Sequence, residues 1–347
     1  MGIRFSRFTA PAVLVAATVL AACGAGGSDT AARTQMAQPR IKQVGTQKSD
    51  YATVVQQLYI AYFGRPADPN GLGNFENQLL LLGAPTDVGG LADAYKTNTA
   101  IASLIDSFGL STESKNLYGS TTTAQFVASI FGNVLGRQPA TAGSTFWVNA
   151  IDSGATSRGD AALSIMAGAF ANTSNPTQAQ ADVQLIDNRV SVAANFTGEV
   201  SSLNAVSSYT GSAAAQSARQ MLAQVTSTTT ASTQQIITVI QGLIGSALQA
   251  YAGNYCGTIS GAFSGTVDLT LSSNGNSTFA VTGTVFVGGQ SIPIQGTTQP
   301  PTLNVELMCT TGVCGTATAT VTTSAIAGTY SITNVGSGNI SLSHSCP

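Results

Sequence analysis

Apolar positions along this chain follow two periods, and the change falls at Gly253. Before it they recur at helical spacing. Val54, Val55, Leu58 and Tyr62 share one helix face, Leu72, Phe75, Leu79 and Leu82 a second, and Leu91, Tyr95, Ile101 and Ile105 suggest a third. Gly83 to Gly90 punctuates between them. Phe126, Ile130, Val134 and Leu135 repeat the pattern, followed by Phe146, Trp147 and Ile151, and Ser157 is placed to cap a helix carrying Ala161, Ile165 and Phe170. Three more helical segments are expected near 178–196, 202–225 and 232–250. Val183, Ile186, Val190, Ala193 and Phe196 form one apolar stripe, and Ile236, Ile237, Ile240, Ile244 and Leu248 another. From Gly253 the period is two: Val267, Leu269 and Leu271, Phe279 and Val281, Val285 and Val287, Leu303, Val305 and Leu307, Ile340 and Leu342 alternate with Thr, Ser and Asn. Asn274-Gly275 and Gly288-Gly289 mark hairpins. The expected fold is multidomain, α then β. An all-α bundle spans 50–252, and about eight short antiparallel strands over 253–347 close as a small barrel or fold as a sandwich.

A single stretch recurs within the helical region. Phe63-Gly64-Arg65 is echoed by Leu135-Gly136-Arg137, and Gly71 and Phe75 are echoed by Gly143 and Trp147, each pair 72 residues apart. The constant offset points to a duplicated helix-turn-helix unit. Gly64 and Gly136 suit the left-handed position just past a helix end. Asp68 is placed to cap the next helix, and Pro69 fits its first turn, where a missing N–H costs nothing. Arg65 then falls near the outgoing carbonyls and Asp68, as a turn-locking pair or an exposed recognition corner. Ala140 and Thr141 replace Asp-Pro in the second copy, which leaves it without that cap.

The pattern Tyr-x-x-x-φ-Gly-Arg-x-x-Asp-Pro-x-Gly-Leu, followed later by Ser-x-Glu and by the run Leu185 to Thr197, resembles the bacterial family called domain of unknown function 4214. The resemblance covers about residues 50–200 and departs at Phe75, where tryptophan is usual. It implies a helical fold found in secreted and cell-surface chains, including surface-layer and adhesin-like proteins. It implies no defined activity.

Residues 1–22 read as an export signal, with Arg4 and Arg7 before the apolar run Ala10 to Ala22. That run is shorter than the roughly 20 residues of a membrane-spanning helix. Leu20-Ala21-Ala22-Cys23-Gly24 resembles a lipoprotein lipobox, which implies lipid attachment at Cys23 and, with Gly24, sorting to the outer membrane. Ordinary cleavage is the alternative. Residues 23–49, rich in Gly, Ala, Thr and Gln, read as a flexible tether. Charged residues make up 8% of the chain, against about 25% in ordinary soluble domains. The net charge is −2, and more negative once Arg4 and Arg7 leave with the signal, so nucleic acid is not an expected partner.

Cys256, Cys309, Cys314 and Cys346 all lie in the β region. In an exported chain they suggest two disulfides with three possible connectivities. Cys256 with Cys346 and Cys309 with Cys314 is the favoured pairing, with a zinc site as the rival. The sole histidine, His344, sits at a strand end, and no nucleophile elbow, phosphate loop or His-Glu-x-x-His occurs. Asp68 and Asn70 offer oxygens for calcium, without the acidic ladder of a tight site. No cofactor or metal is expected. The expectation is a non-enzymatic, lipid-anchored envelope protein with a binding or assembly role, towards lipopolysaccharide, another surface glycan or an adhesion partner. A hydrolase of envelope polymers and a structural spacer for the β domain are the alternatives.

Overall fold

The computed structural model describes residues 45–274, 278–309, 312–344 and 346. The expected signal and Cys23 lie outside them. Lys48 and Ser49, expected in the tether, belong to a 3₁₀ turn, Lys48–Tyr51, that leads into the first helix.

Eleven α-helices follow among the described residues. They are α1 (Ala52–Phe63), α2 (Pro69–Leu81), α3 (Val88–Thr97), α4 (Thr99–Leu110), α5 (Thr112–Tyr118), α6 (Thr123–Leu135), α7 (Thr141–Asp152), α8 (Arg158–Ala171), α9 (Pro176–Ser202), α10 (Gly211–Ala223) and α11 (Thr233–Gln249). Helix α1 is the axis of the bundle. Val54 to Phe63 are all buried, because α2, α6, α8 and α9 pack around it. A helix covered on every side has no polar face, and its buried Gln56 is satisfied internally. Gln56 Nε2 donates to Thr197 Oγ1 at 2.8 Å, its Oε1 accepts from the Ala67 amide at 3.0 Å, and the Thr197 hydroxyl donates to Ala67 O at 2.7 Å. This ties α1, the turn after it and α9 together.

Three expectations need correction. The single helix expected through Leu91 and Ile105 is two, α3 and α4, because Asn98 leaves helical geometry and its side chain accepts from the Ala100 and Ile101 amides. Helix α5 carries no apolar stripe long enough to read. The helix expected over 202–225 is only α10: α9 runs on to Ser202, and Asn204, with φ of 52°, turns the chain.

Eight strands follow: β1 (Gly253–Gly261), β2 (Gly265–Ser273), β3 (Phe279–Val287), β4 (Gln290–Thr298), β5 (Thr302–Cys309), β6 (Gly312–Val321), β7 (Ala325–Ile332) and β8 (Gly336–His344). Every pairing is antiparallel, in the order β4-β3-β2-β1-β8-β7-β6-β5. The sheet is an up-and-down meander that β1 and β8 join into a nearly closed barrel. The barrel alternative holds, not the sandwich. Its seam lies between β4 and β5, where the one bridge among the described residues outside the named strands pairs Gln299 with Thr302. Pro293 on β4 has no amide to give, and proline belongs on such an edge. Gly288 and Gly289, with φ of 56° and 80°, make the expected two-residue hairpin.

Alternation places Val267, Leu269, Leu271, Val281, Ala317, Ala319 and Leu342 inside and Thr266, Thr282, Thr316, Thr318 and Ser341 outside. This is the reverse of an outer-membrane barrel, whose outward face is apolar. Leu248, Tyr251 and Ala252, at the end of α11 and just after it, pack against one end of this core. No described helix is long and apolar enough to cross a membrane.

Candidate functional site

The duplicated turns hold most of the expected site residues. Gly64 and Gly136 end α1 and α6 with φ of 65° and 62°, as expected. Asp68 caps α2, accepting from the Gly71 amide at 2.8 Å, with Pro69 at the first position of the helix. A Cβ on Gly71 would meet the Tyr59 hydroxyl, so this glycine is required by close approach. Gly143 has open space around it, and α7, led by Ala140, has no side-chain cap.

Arg65 does not pair with Asp68. Its Nε and Nη2 donate to the two carboxylate oxygens of Glu113 at 2.7 and 2.6 Å. Arg137 does the same to Asp182, at 3.2 and 2.7 Å. Both arginines make the forked contact that matches a carboxylate's geometry. Burial opposes the Arg65 charge, but the bonds and charges of Glu113 and Tyr209 outweigh it and hold its pKa above the usual range. Burial also pushes the Tyr209 phenol up to about 12. Arg219 adds a second cation to Glu113, donating to it at 3.1 Å. The cleft beside this cluster, about 560 Å³, holds Asp68 and Asn70 as well. Arg65 and Glu113 face each other there as a turn-locking pair, with Glu113 in the place expected for Asp68.

Phe75 stacks on Phe108 with centroids 4.2 Å apart and meets Tyr59 edge-on. Trp147 is half-buried against the helical core and meets Phe146 edge-on at 5.0 Å. Pattern reading of the two turns missed Glu113, Asp182, Asn133 and Arg189. The motif Ser-x-Glu is Ser111-Thr112-Glu113, in which Ser111 caps α5 and Glu113 clasps the first turn.

The second candidate is inside the barrel. A cavity of about 270 Å³ is lined by side chains that include Ile259, Val267, Leu269, Ile294, Val305 and Ala317. One end is packed solid around Tyr255, Leu271, Phe279 and Val321, each at most 1% exposed. The other end is open, where Ile292, Met308 and Val335 line the cavity and remain 36%, 49% and 55% exposed. The polar tip of Tyr330, which also lines it, is occupied. Its hydroxyl accepts from the Phe263 amide at 2.8 Å and donates to Phe263 O at 3.1 Å. An eight-stranded barrel is just wide enough to be filled by side chains or to hold one small ligand. Valines and an alanine at interior positions leave this one unfilled. Its lining is apolar, with the Tyr330 hydroxyl already paired.

Cys256 on β1 is bonded to Cys346, with Cα atoms 5.4 Å apart. Asp268 lies beside these two sulfurs. Cys314 lines the cavity, and the side chain of its expected partner Cys309 lies outside the described residues. His344 stacks on Tyr255 at 4.5 Å, with Nδ1 2.7 Å from Thr323 O.

Residues 105–173 match the family model described as domain of unknown function (DUF4214). The matched segment contains Glu113 and the second turn from Gly136 to Trp147. No curated protein and no solved structure matches the chain.

Proposed function

We propose that this is a non-enzymatic binding protein of the bacterial cell envelope, held to a membrane by lipid at Cys23, whose barrel takes up a small, uncharged apolar molecule. The observation that carries this is the open-ended apolar cavity. At about 30 Å³ per water-sized group, 270 Å³ accommodates about nine such groups, the size of a medium-length hydrocarbon chain. Charge narrows the class further. No lysine or arginine follows Arg219, and the β region carries only Asp268 and Glu306 as acids. A carboxylate or phosphate headgroup at the mouth would find no cation, and leaving water unpaired is costly. An alcohol or ester, which carries no charge, loses far less there, and a hydrocarbon loses nothing.

The helical region serves in this proposal as the rigid mount, because Arg65 and Arg137 are each held in a fork by a carboxylate. The envelope glycan implied by the family resemblance is a separate partner, and the same experiment distinguishes it. N-phenyl-1-naphthylamine, a neutral apolar fluorophore, should brighten on the full-length protein and be displaced by decan-1-ol but far less by decanoate. Ala317→Phe fills the cavity from an interior position and should weaken uptake at least about tenfold, since the bound apolar area is lost. No brightening, or equal brightening by the variant, sinks the proposal. Lipopolysaccharide binding that survives Ala317→Phe would assign the glycan to the helical region.

A further inference from the structure

Arg189, on α9, is 5% exposed and has no carboxylate against it among the described residues. Both of its hydrogen bonds leave from one nitrogen, Nη1, to Gly132 O and Asn133 O at the end of α6. Its Nε is buried with no partner among the described residues. Burial alone acts on it, drawing its pKa down from the usual arginine range to about 10.

The duplication shows that this charge exceeds what the helix end needs. In the first copy the equivalent carbonyl, Ala61 O at the end of α1, is capped by the amide of Asn133 at 3.2 Å. An uncharged side chain therefore does that work. In the second copy a guanidinium does it with one nitrogen and keeps its remaining N–H groups. Next to it is a half-open pocket of about 190 Å³ with Gly64 and Gly132 on its floor, walled by Asn133, Arg189, Gln216, Arg219 and Gln220. Arg219 gives one nitrogen to Glu113 and its Nε to Gln216 at 3.2 Å. Glu113 is already shared with Arg65, so the two arginines that line this pocket have between them only a share of one carboxylate.

We propose that this pocket binds a small oxyanion, a carboxylate or phosphate group, with the guanidinium groups of Arg189 and Arg219 in its wall as donors and the glutamine amides beside them. A volume of 190 Å³ holds about six water-sized groups, enough for inorganic phosphate and a bridging water. The oxyanion supplies Arg189 with the counter-charge that no described residue provides, and charge-assisted hydrogen bonds are the strong ones.

The test uses the full-length protein, titrated with inorganic phosphate and with acetate at constant ionic strength, and with chloride as the control. The Arg189 Nε–H resonance should shift saturably with phosphate, acetate or both, and that of Arg137, whose fork is filled by Asp182, should not. Which anion saturates at lower concentration identifies the phosphate or carboxylate source. Arg189→Gln keeps an amide cap for α6, as Asn133 does for α1, and should weaken anion binding at least about tenfold. A linear shift shared with chloride, no shift, or unchanged binding by the variant overturns the proposal. If the variant does not fold, the wild-type resonance still decides between these outcomes.

Discussion

At single residues, the helical region is governed by which charges meet. Asp68 and Glu113 are both acids at helix starts, yet they do different work. Asp68 caps its own helix through Gly71, and Glu113 pairs with both Arg65 and Arg219 across the bundle. Asp68→Ala should cost about 1 kcal/mol, as N-cap losses do. Glu113→Gln keeps the size and one acceptor but leaves two arginines facing each other, and should cost more. Removing one partner of a fully buried pair costs about 3–5 kcal/mol. Glu113 retains 26% of its side-chain exposure, so about 2–3 kcal/mol is expected. Denaturant melts of the helical region check the order, and a Glu113→Gln loss equal to or smaller than that of Asp68→Ala contradicts the clasp. Local pattern predicted the cap because a cap is made by neighbours in sequence. It did not predict the clasp, because 48 residues separate Arg65 from Glu113 and no periodicity links a turn to the helix that comes to lie over it.

Whole elements were easier to read wherever an apolar face repeated. The positions of α1, α2, α6, α8 and α11 follow from stripes at helical spacing, and the barrel strands from alternation. Short or weakly apolar elements were not legible. α5 has seven residues, and the boundary between α3 and α4 rests on a single Asn. The constant offset of the two turns was legible and has structural content: both arginines fork onto a carboxylate of a later helix, and each helix end is capped by a side chain from the next copy or beyond. For the strands, the cavity was not legible, since alternation tells which side chains point inward but not whether they fill the space. What alternation leaves open, the covalent link limits. The Cys256–Cys346 bond spans 90 residues and encloses nearly the whole barrel, a loop for which the chain-entropy model assigns about 4–5 kcal/mol. A barrel with an unfilled centre has little stabilisation in reserve. Cys256→Ser with Cys346→Ser should therefore melt the barrel at moderate temperature and leave the helical region folded. Far-ultraviolet circular dichroism resolves the two, and loss of helical signal at the same temperature would show that they are not independent.

At the largest scale, the buried side chains of the described residues form two separate cores, one shared by the helices and one inside the barrel. The link between them is local: Leu248, Tyr251 and Ala252 follow the helical stripe of α11 into the barrel end, and Tyr255 on β1 donates from its hydroxyl back to Tyr251 O at 3.1 Å. Cores that do not merge unfold as separate cooperative units, and a ligand raises the stability only of the unit it binds. The two proposed sites fall on opposite sides of that division, the apolar cavity in the barrel and the Arg189 pocket in the helices. Scanning calorimetry of the full-length protein should resolve two transitions. Decan-1-ol should raise the one that disappears in the Cys256 and Cys346 double variant, and phosphate should raise the other. At a ligand concentration about one hundred times its Kd, linkage adds about 2.7 kcal/mol to the unit concerned, a shift well above the error of a scan. A single transition, or two that both ligands move together, would mean that the end of α11 couples the two cores, and Tyr251→Ala would then be expected to separate them.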